Sequence, residues 1–235
     1  NFDSRNALFR HVRTDPSCST RANGGIPDDR LVTTIRHMLA LQFSYWGADC
    51  RADLAGDALA EAAKLAIEGY LHDNMNFTNA IIKKLFKYNF NRDDCLIALG
   101  GGVIGDLSGF ASSIFKRGIN LVQIPTTLLA QVDSSIGGKT GINSSEGKNM
   151  IGTFYQPKLV LIDPLTLKSL PRRHLVAGYA EILKYALIMN RKFFSWLEKN
   201  SHDIINLTHI NQVMYAIKES CKSKATIVQR DEKEK

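Results

Sequence analysis

Between residues 76 and 228 short apolar runs alternate with amphipathic stretches, and the period of the pattern changes partway along. Asn76 to Tyr88 places Phe77, Ala80, Ile81, Leu85 and Phe86 on one helical face and Lys83, Lys84 and Lys87 on the other. Cys95 to Leu99 is a short apolar run that predicts a strand buried on both faces. Asp106 to Phe115 then reads as a helix, with Leu107, Phe110, Ala111 and Ile114 on one side. Asn120 to Ile124 and Lys158 to Ile162 are two further strands with helical sequence between them, which predicts an α/β unit with a parallel sheet. Ser144 to Gly152 reads as a polar, glycine-bearing loop.

After Asp163-Pro164 the period is helical throughout. Pro171 opens a helix to about Leu187, with Leu175, Tyr179, Ile182, Leu183 and Ala186 as its stripe. Arg191 to Lys199 carries Phe193, Phe194, Trp196 and Leu197, and Asn211 to Val228 carries Val213, Ile217 and Cys221 at core spacing. The chain therefore divides into an α/β domain over 68–163 and an all-helical domain, or part of one, over 164–235. Residues 1–67 stand apart, a helical or loop segment to which the sequence assigns no role. Lys64 is their only lysine, whereas Arg5, Arg10, Arg13, Arg21, Arg30, Arg36 and Arg51 carry their positive charge. Pro27 to Phe43 and Asp53 to Leu71 are helical by pattern or propensity.

Composition narrows the class. At 235 residues, 44% hydrophobic and 23% charged, the chain has the makeup of a globular protein with a sizeable core. Its apolar runs are too short to span a bilayer, and Asn1-Phe2-Asp3-Ser4-Arg5 does not open a signal peptide, which points to the cytoplasm. Cys18, Cys50, Cys95 and Cys221 have no metal or redox spacing and read as reduced thiols. The net charge of +7 comes without a basic stripe interleaved with aromatics, so small anionic ligands fit better than nucleic acid.

The candidate chemistry lies between Asn91 and Lys148, where glycines cluster. Gly100-x-Gly102-x-x-Gly105 after a strand and before a helix points free amides and a positive dipole end at a phosphate. The acidic residue about 20 positions on that a plain dinucleotide fingerprint needs is missing, because Leu121 to Ile124 runs into Pro125-Thr126-Thr127. Gly137-Gly138-Lys139 and Gly147-Lys148-Asn149 each set an ammonium beside flexible backbone, an arrangement suited to oxyanions. Asp133 fits a helix cap or a ligand group equally well. By spacing alone Glu181 and Lys184 read as an i,i+3 surface ion pair. His11, His37, His72, His174, His202 and His209 form no metal-binding pair.

Six blocks are specific enough to name a family: LIALGGGVIGDLSGF, RGINLVQIPTTLLAQVDSSIGGKTGIN, GKNMIGTFYQP, LIDPLTLKSLP, AGYAEILKYALI and CKSKATIVQRDE. In their order and spacing, residues 91–235 resemble 3-dehydroquinate synthase, a sugar-phosphate cyclase of the shikimate pathway. The resemblance implies an NAD-binding α/β domain followed by an incomplete helical metal and substrate domain, with the site between them. It implies a lyase that converts 3-deoxy-D-arabino-heptulosonate 7-phosphate to 3-dehydroquinate and phosphate. NAD and a divalent metal, zinc or cobalt, are its cofactors, and the family is homodimeric. Carried over, Gly102, Val103, Ile104, Gly105 and Asp106 meet the NAD pyrophosphate. Thr126, Thr127, Lys139, Lys148, Thr166, Leu167, Lys168 and Ser169 complete the nucleotide site. Lys139, Asp133, Asn149, Lys184 and Lys224 face the substrate, and Glu181 is a metal ligand, against its reading as a surface pair.

The match departs from the family in three places. The family's other metal ligands are two histidines of an LNxGHTxGH-type segment, and no histidine here stands at a matching position. The family's DGExxK-type contact falls at Glu68 to Asp73, which reads Glu-Gly-Tyr-Leu-His-Asp. Residues 1–67 lack the family's N-terminal strands. The chain thus reads as a partial synthase, and alone it is expected to be inactive or nearly so. A cyclase acting on another sugar phosphate, an alcohol or glycerol dehydrogenase of the same superfamily, and a non-catalytic nucleotide-binding fragment remain open.

Overall fold

The computed structural model describes residues 74–231. The expected helices over 27–43 and 53–71 lie outside them. Helix α1 (Met75–Lys87) is opened by Asn74, whose side chain accepts from the amides of Asn76 (3.0 Å) and Phe77 (3.3 Å). Ile81 and Leu85 are buried, while Phe86, expected on the same face, is 57% exposed and touches Phe115 edge-on.

Strands β1 (Cys95–Gly100) and β2 (Asn120–Pro125) pair in parallel from Cys95↔Asn120 to Gly100↔Pro125. Helix α2 (Gly102–Ile114) crosses between them. The crossover helix therefore begins four residues before its expected start at Asp106, with the glycine run forming its first turn. Leu107, Phe110 and Ala111 are buried against α1, but Ile114 is 41% exposed. The doubly buried strand is β2 rather than β1. Leu121 to Pro125 are all buried, whereas on β1 only Ala98 is, because among the described residues β2 is the central strand, with β1 on one side and Leu159–Val160 on the other. Strand β5 is only Leu159–Val160, shorter than the expected 158–162.

Between β2 and β5, where helix was expected, the chain makes a π-helical turn (Ala130–Ser134) and then an antiparallel hairpin. Its strands are β3 (Lys139–Ser144) and β4 (Gly147–Phe154), so the loop expected over 144–152 is mostly strand. Gly138 enters β3 at φ +68°, which favours glycine, and a β-carbon there would lie 2.7 Å from the end of the Gln156 side chain, which would have to move. The register slips between Ile142 and Ser144. Asn149 absorbs that slip in the left-handed region at φ +56°, its amide donating to Asn143 Oδ1 at 3.0 Å.

A 3-10 turn (Pro164–Ser169) leads to α3 (Arg172–Met189), α4 (Arg191–Ile205) and α5 (Ile210–Arg230), as their periodicity predicted. Ile182, Phe193, Leu197, Ile204, Val213 and Ile217 form their shared core, sealed on one side by Leu128 and Val132 from the turn after β2. Gly178 lets α3 close on that turn, since a β-carbon there would lie 2.6 Å from Leu128 Cβ and 2.7 Å from the Leu129 amide nitrogen. This contact brings α3, with Glu181 and Lys184, against the segment that carries Asp133.

Candidate functional site

The site is built on the π-helical turn, which meets β2, the 164–169 segment and two helices. Gln131, fully buried, fixes the turn from below. Its Nε2 lies 3.1 Å from Pro125 O, Asp163 O and Thr166 Oγ1, tying the end of β2 to the 164–169 segment. Asp133, two residues on, meets two helices. Tyr185 Oη on α3 donates to Asp133 Oδ1 at 2.7 Å, and Lys224 Nζ on α5 pairs with the same oxygen at 3.1 Å. The Lys224 side chain is 12% exposed and that of Asp133 29%, so the pair is largely shielded from solvent.

Glu181 stands one turn before Tyr185 and pairs with Lys184. The atom that meets the ammonium is Oε1, and the Glu181 side chain is only 17% exposed. Lys184 Nζ also lies 5.2 Å from the centre of the Tyr185 ring. Burial, and then the carboxylates of Asp133 and Glu181, raise the Tyr185 phenol far above its ordinary range, so it stays a proton donor at any physiological pH. Asp133, Glu181, Lys184 and Lys224, four residues assigned by resemblance, thus meet around one tyrosine. Tyr185 itself escaped the sequence reading. Its one signal was position: a tyrosine directly after Lys184 in a helix whose buried hydroxyl must find a partner.

The glycine turn abuts this cluster. A β-carbon on Gly102 would lie 3.0 Å from Ser134 Oγ, and one on Gly101 3.0 Å from Thr127 Cγ2. Gly101 caps α2 without a side-chain hydrogen bond, so the amides of Gly102, Val103 and Ile104 at the positive helix end are available to an oxyanion. A shallow hollow lies there, between Gly100, Gly102, Gly105, Gln123, Ser134 and Ser135. Thr126 sits at its edge, its amide donating to Gly100 O at 2.9 Å. Asp106 follows in the helix, half-exposed. These residues fit a pyrophosphate: a helix start, bare backbone and neighbouring hydroxyls.

The remaining assigned residues are placed differently. Thr166 has its hydroxyl engaged at both lone pair and proton, donating to Asp163 O at 2.7 Å while Gln131 donates to it. Leu167 is fully buried in the helical core, so only its backbone is open to a ligand, whereas Lys168 and Ser169 are exposed. Lys139 stands at the base of the hairpin opposite Phe154, and Lys148 and Asn149 stand near its tip. Four residues of strand separate the two levels, roughly 13 Å. The lysines therefore suit two points on an extended ligand better than one shared oxyanion. A metal fits less well: among the described residues no three His, Cys, Asp or Glu side chains come together to hold one. Glu181, whose Oε1 pairs with Lys184, would supply one ligand and no more.

A parallel α/β layer joined to a helical layer is an architecture shared with solved sugar-phosphate cyclases. One is 2-epi-5-epi-valiolone synthase from Streptomyces hygroscopicus subsp. jinggangensis, with NAD+ and Zn2+ bound (TM-score 0.65, 32% identity, 68% of this chain and 45% of that one). Another is 2-deoxy-scyllo-inosose synthase complexed with carbaglucose-6-phosphate, NAD+ and Co2+ (TM-score 0.62, 29% identity, 69% and 45%).

Sequence comparison narrows the class. The family model for the 3-dehydroquinate synthase N-terminal region matches residues 65–177, and that for the C-terminal region matches residues 178–235. The 3-dehydroquinate synthase of Pelagibacter ubique is 56% identical over 161 residues, covering 68% of this chain and 44% of the relative. That of Pelotomaculum thermopropionicum is 43% identical over 211 residues, 90% and 56%. The chain belongs to the 3-dehydroquinate synthase family. It spans about half the length of the curated relatives it matches.

Proposed function

We propose that this protein is a 3-dehydroquinate synthase, converting 3-deoxy-D-arabino-heptulosonate 7-phosphate to 3-dehydroquinate and phosphate. The observation that carries the reading is the meeting of Asp133, Lys224, Glu181 and Lys184 beside the uncapped start of α2. Bound NAD supplies a hydride acceptor and donor. The amides of Gly102, Val103 and Ile104 hold its pyrophosphate, with Asp106, Thr126, Thr127 and the hairpin lysines around it. Asp133 accepts from a substrate hydroxyl, and Lys184 and Lys224 provide fixed positive charge for the substrate's anionic groups. Lys139 at the hairpin base sits where a departing phosphate is stabilised, and Asn149 orients the sugar. Glu181 contributes one ligand toward a divalent metal, zinc or cobalt. The described residues do not complete that metal's site. On the same reading the protein is a cytoplasmic homodimer.

The test is calorimetry of the chain with NAD and with the heptulosonate phosphate, followed by a phosphate-release assay with zinc in the same samples. NAD is expected to bind, and the sugar phosphate to bind more tightly once NAD is present. Phosphate release is expected to fall far below that of a full-length relative, since one carboxylate does not hold catalytic zinc. A chain that binds neither ligand overturns the proposal. The solved neighbours favour one other reading, a cyclase for a different sugar phosphate, and tighter binding of carbaglucose-6-phosphate than of the heptulosonate would support it.

A further inference from the structure

We propose that Tyr185 is a positioning residue of the substrate site, its hydroxyl locking the Asp133 carboxylate so that Oδ1 is shared with Lys224 and Oδ2 is presented to a ligand hydroxyl. The inference rests on the reading above. Three observations carry it. The tyrosine is 3% exposed, so its hydroxyl cannot turn to water and must be satisfied inside. It donates to Asp133 at 2.7 Å, and Lys224 reaches the same oxygen at 3.1 Å from a different helix. Oδ2 makes no hydrogen bond among the described residues, and the Asp133 side chain keeps 29% of its surface open.

A carboxylate held through one oxygen by two donors from two helices cannot rotate about its last bond without breaking both contacts. Its second oxygen then has a fixed direction, which is what recognition of one hydroxyl on a polyol requires. Tyr185 is also the residue through which this carboxylate is referenced to Glu181, one helical turn earlier on α3. The same ring therefore sets the distance between the group that reads the substrate and the group assigned to the metal. A tyrosine that served only to fill the core would not need its hydroxyl, and the phenylalanine in its place would pack equally well.

The experiment is a double-variant cycle read by calorimetry with the heptulosonate phosphate in the presence of saturating NAD. Tyr185→Phe is expected to weaken sugar-phosphate binding by about tenfold, the scale of one hydrogen bond to a charged group. NAD affinity is expected to stay within about twofold, because the cradle at Gly102 does not involve the hydroxyl. In an Asp133→Asn background the same change is expected to add less than about twofold, since the group it positions is already gone. Losses that multiply independently in the double variant, or a Tyr185→Phe chain that binds like the parent, overturn the proposal while leaving the function intact. Tyr185→Met, smaller and flexible but also without the hydroxyl, is read in the same way should the phenylalanine variant not fold. A parent chain that binds no sugar phosphate overturns the function, and this inference with it.

Discussion

The helical layer and the β3–β4 hairpin hold charged residues by opposite means. In the helical layer Asp133 is gripped by Tyr185 and Lys224, side chains from two helices that are themselves packed against its own turn. On the hairpin, Lys139, Lys148 and Asn149 are exposed, and the backbone sets their positions: Gly138 at φ +68°, the register slip and Asn149 at φ +56°. The first arrangement freezes side-chain rotamers when the protein folds, so no ordering cost remains when a ligand arrives. The second leaves an exposed ammonium such as that of Lys148 to be ordered only on binding. An enzyme that grips a sugar through one set and a phosphate through another gains from the split. A sugar hydroxyl must be read by direction, whereas a phosphate accepts charge from many directions.

The largest expected effect tests whether the helical layer is the rigid half. Phe193 is 1% exposed and packs against Trp196 and Tyr215, so Phe193→Ala is expected to cost about 3–5 kcal/mol in denaturant unfolding. Met150 on the hairpin is 65% exposed, and Met150→Ala is expected to stay within about 0.5 kcal/mol. Equal costs at the two positions would erase the contrast.

The same contrast explains what could be read in the sequence. Helices α3, α4 and α5 and strand β2 bury one face or both, so burial imprints a period on the chain, and each was placed within a few residues. Strand β4 is exposed at every position but Gly147 and Thr153, which are half-buried; with no buried face it shows no alternation and reads as loop. The start of α2 was misplaced because Gly102 and Gly105 disfavour helix locally. Close approach of Thr127 and Ser134 to that turn, a tertiary fact, makes small residues there an advantage. At the site, Asp133, Glu181, Lys184 and Lys224 were legible only through the resemblance. Tyr185, which bonds Asp133, and Gln131, which fixes the turn beneath it, were not, because a buried polar residue inside an apolar stretch looks like core until its hydrogen bonds are seen.

The next effects are on binding. Lys224→Met removes the shielded partner of Asp133 and leaves its carboxylate uncompensated, so sugar-phosphate affinity is expected to fall by about 30-fold or more. Lys148→Met removes an exposed, adaptable ammonium, and NAD affinity is expected to fall by only about three- to fivefold, with a slope that flattens as salt rises. A larger loss at Lys148 than at Lys224 would mean that the hairpin, not the helical layer, dominates recognition. Disturbing the hairpin's own geometry acts on stability rather than on one contact. Gly138→Ala forces an alanine into the left-handed region and toward the movable Gln156 side chain, at about 1–2 kcal/mol. Lys139 follows directly, so that variant should weaken phosphate binding while leaving the Asp133 cluster, probed by Tyr185→Phe, unaffected.

The smallest effect asks how dry the helical layer is. Cys221 on α5 directs its thiol at Gln131 O, 3.3 Å away, and burial pushes its pKa up to about 12. In the unfolded chain the same thiol ionises near its ordinary value of 9.0. The folded state therefore holds its proton through a range where the unfolded state releases it. The stability tied to this group is complete below pH 9 and is lost as pH climbs toward 12. Thermal unfolding of the parent and of Cys221→Ala between pH 8 and 10.5 isolates the term from the other alkaline groups, which the two chains share. The parent is expected to lose stability more steeply than the variant above pH 9. Parallel curves would show that water reaches the thiol, and that the turn carrying Gln131 and Asp133 is as open as the hairpin.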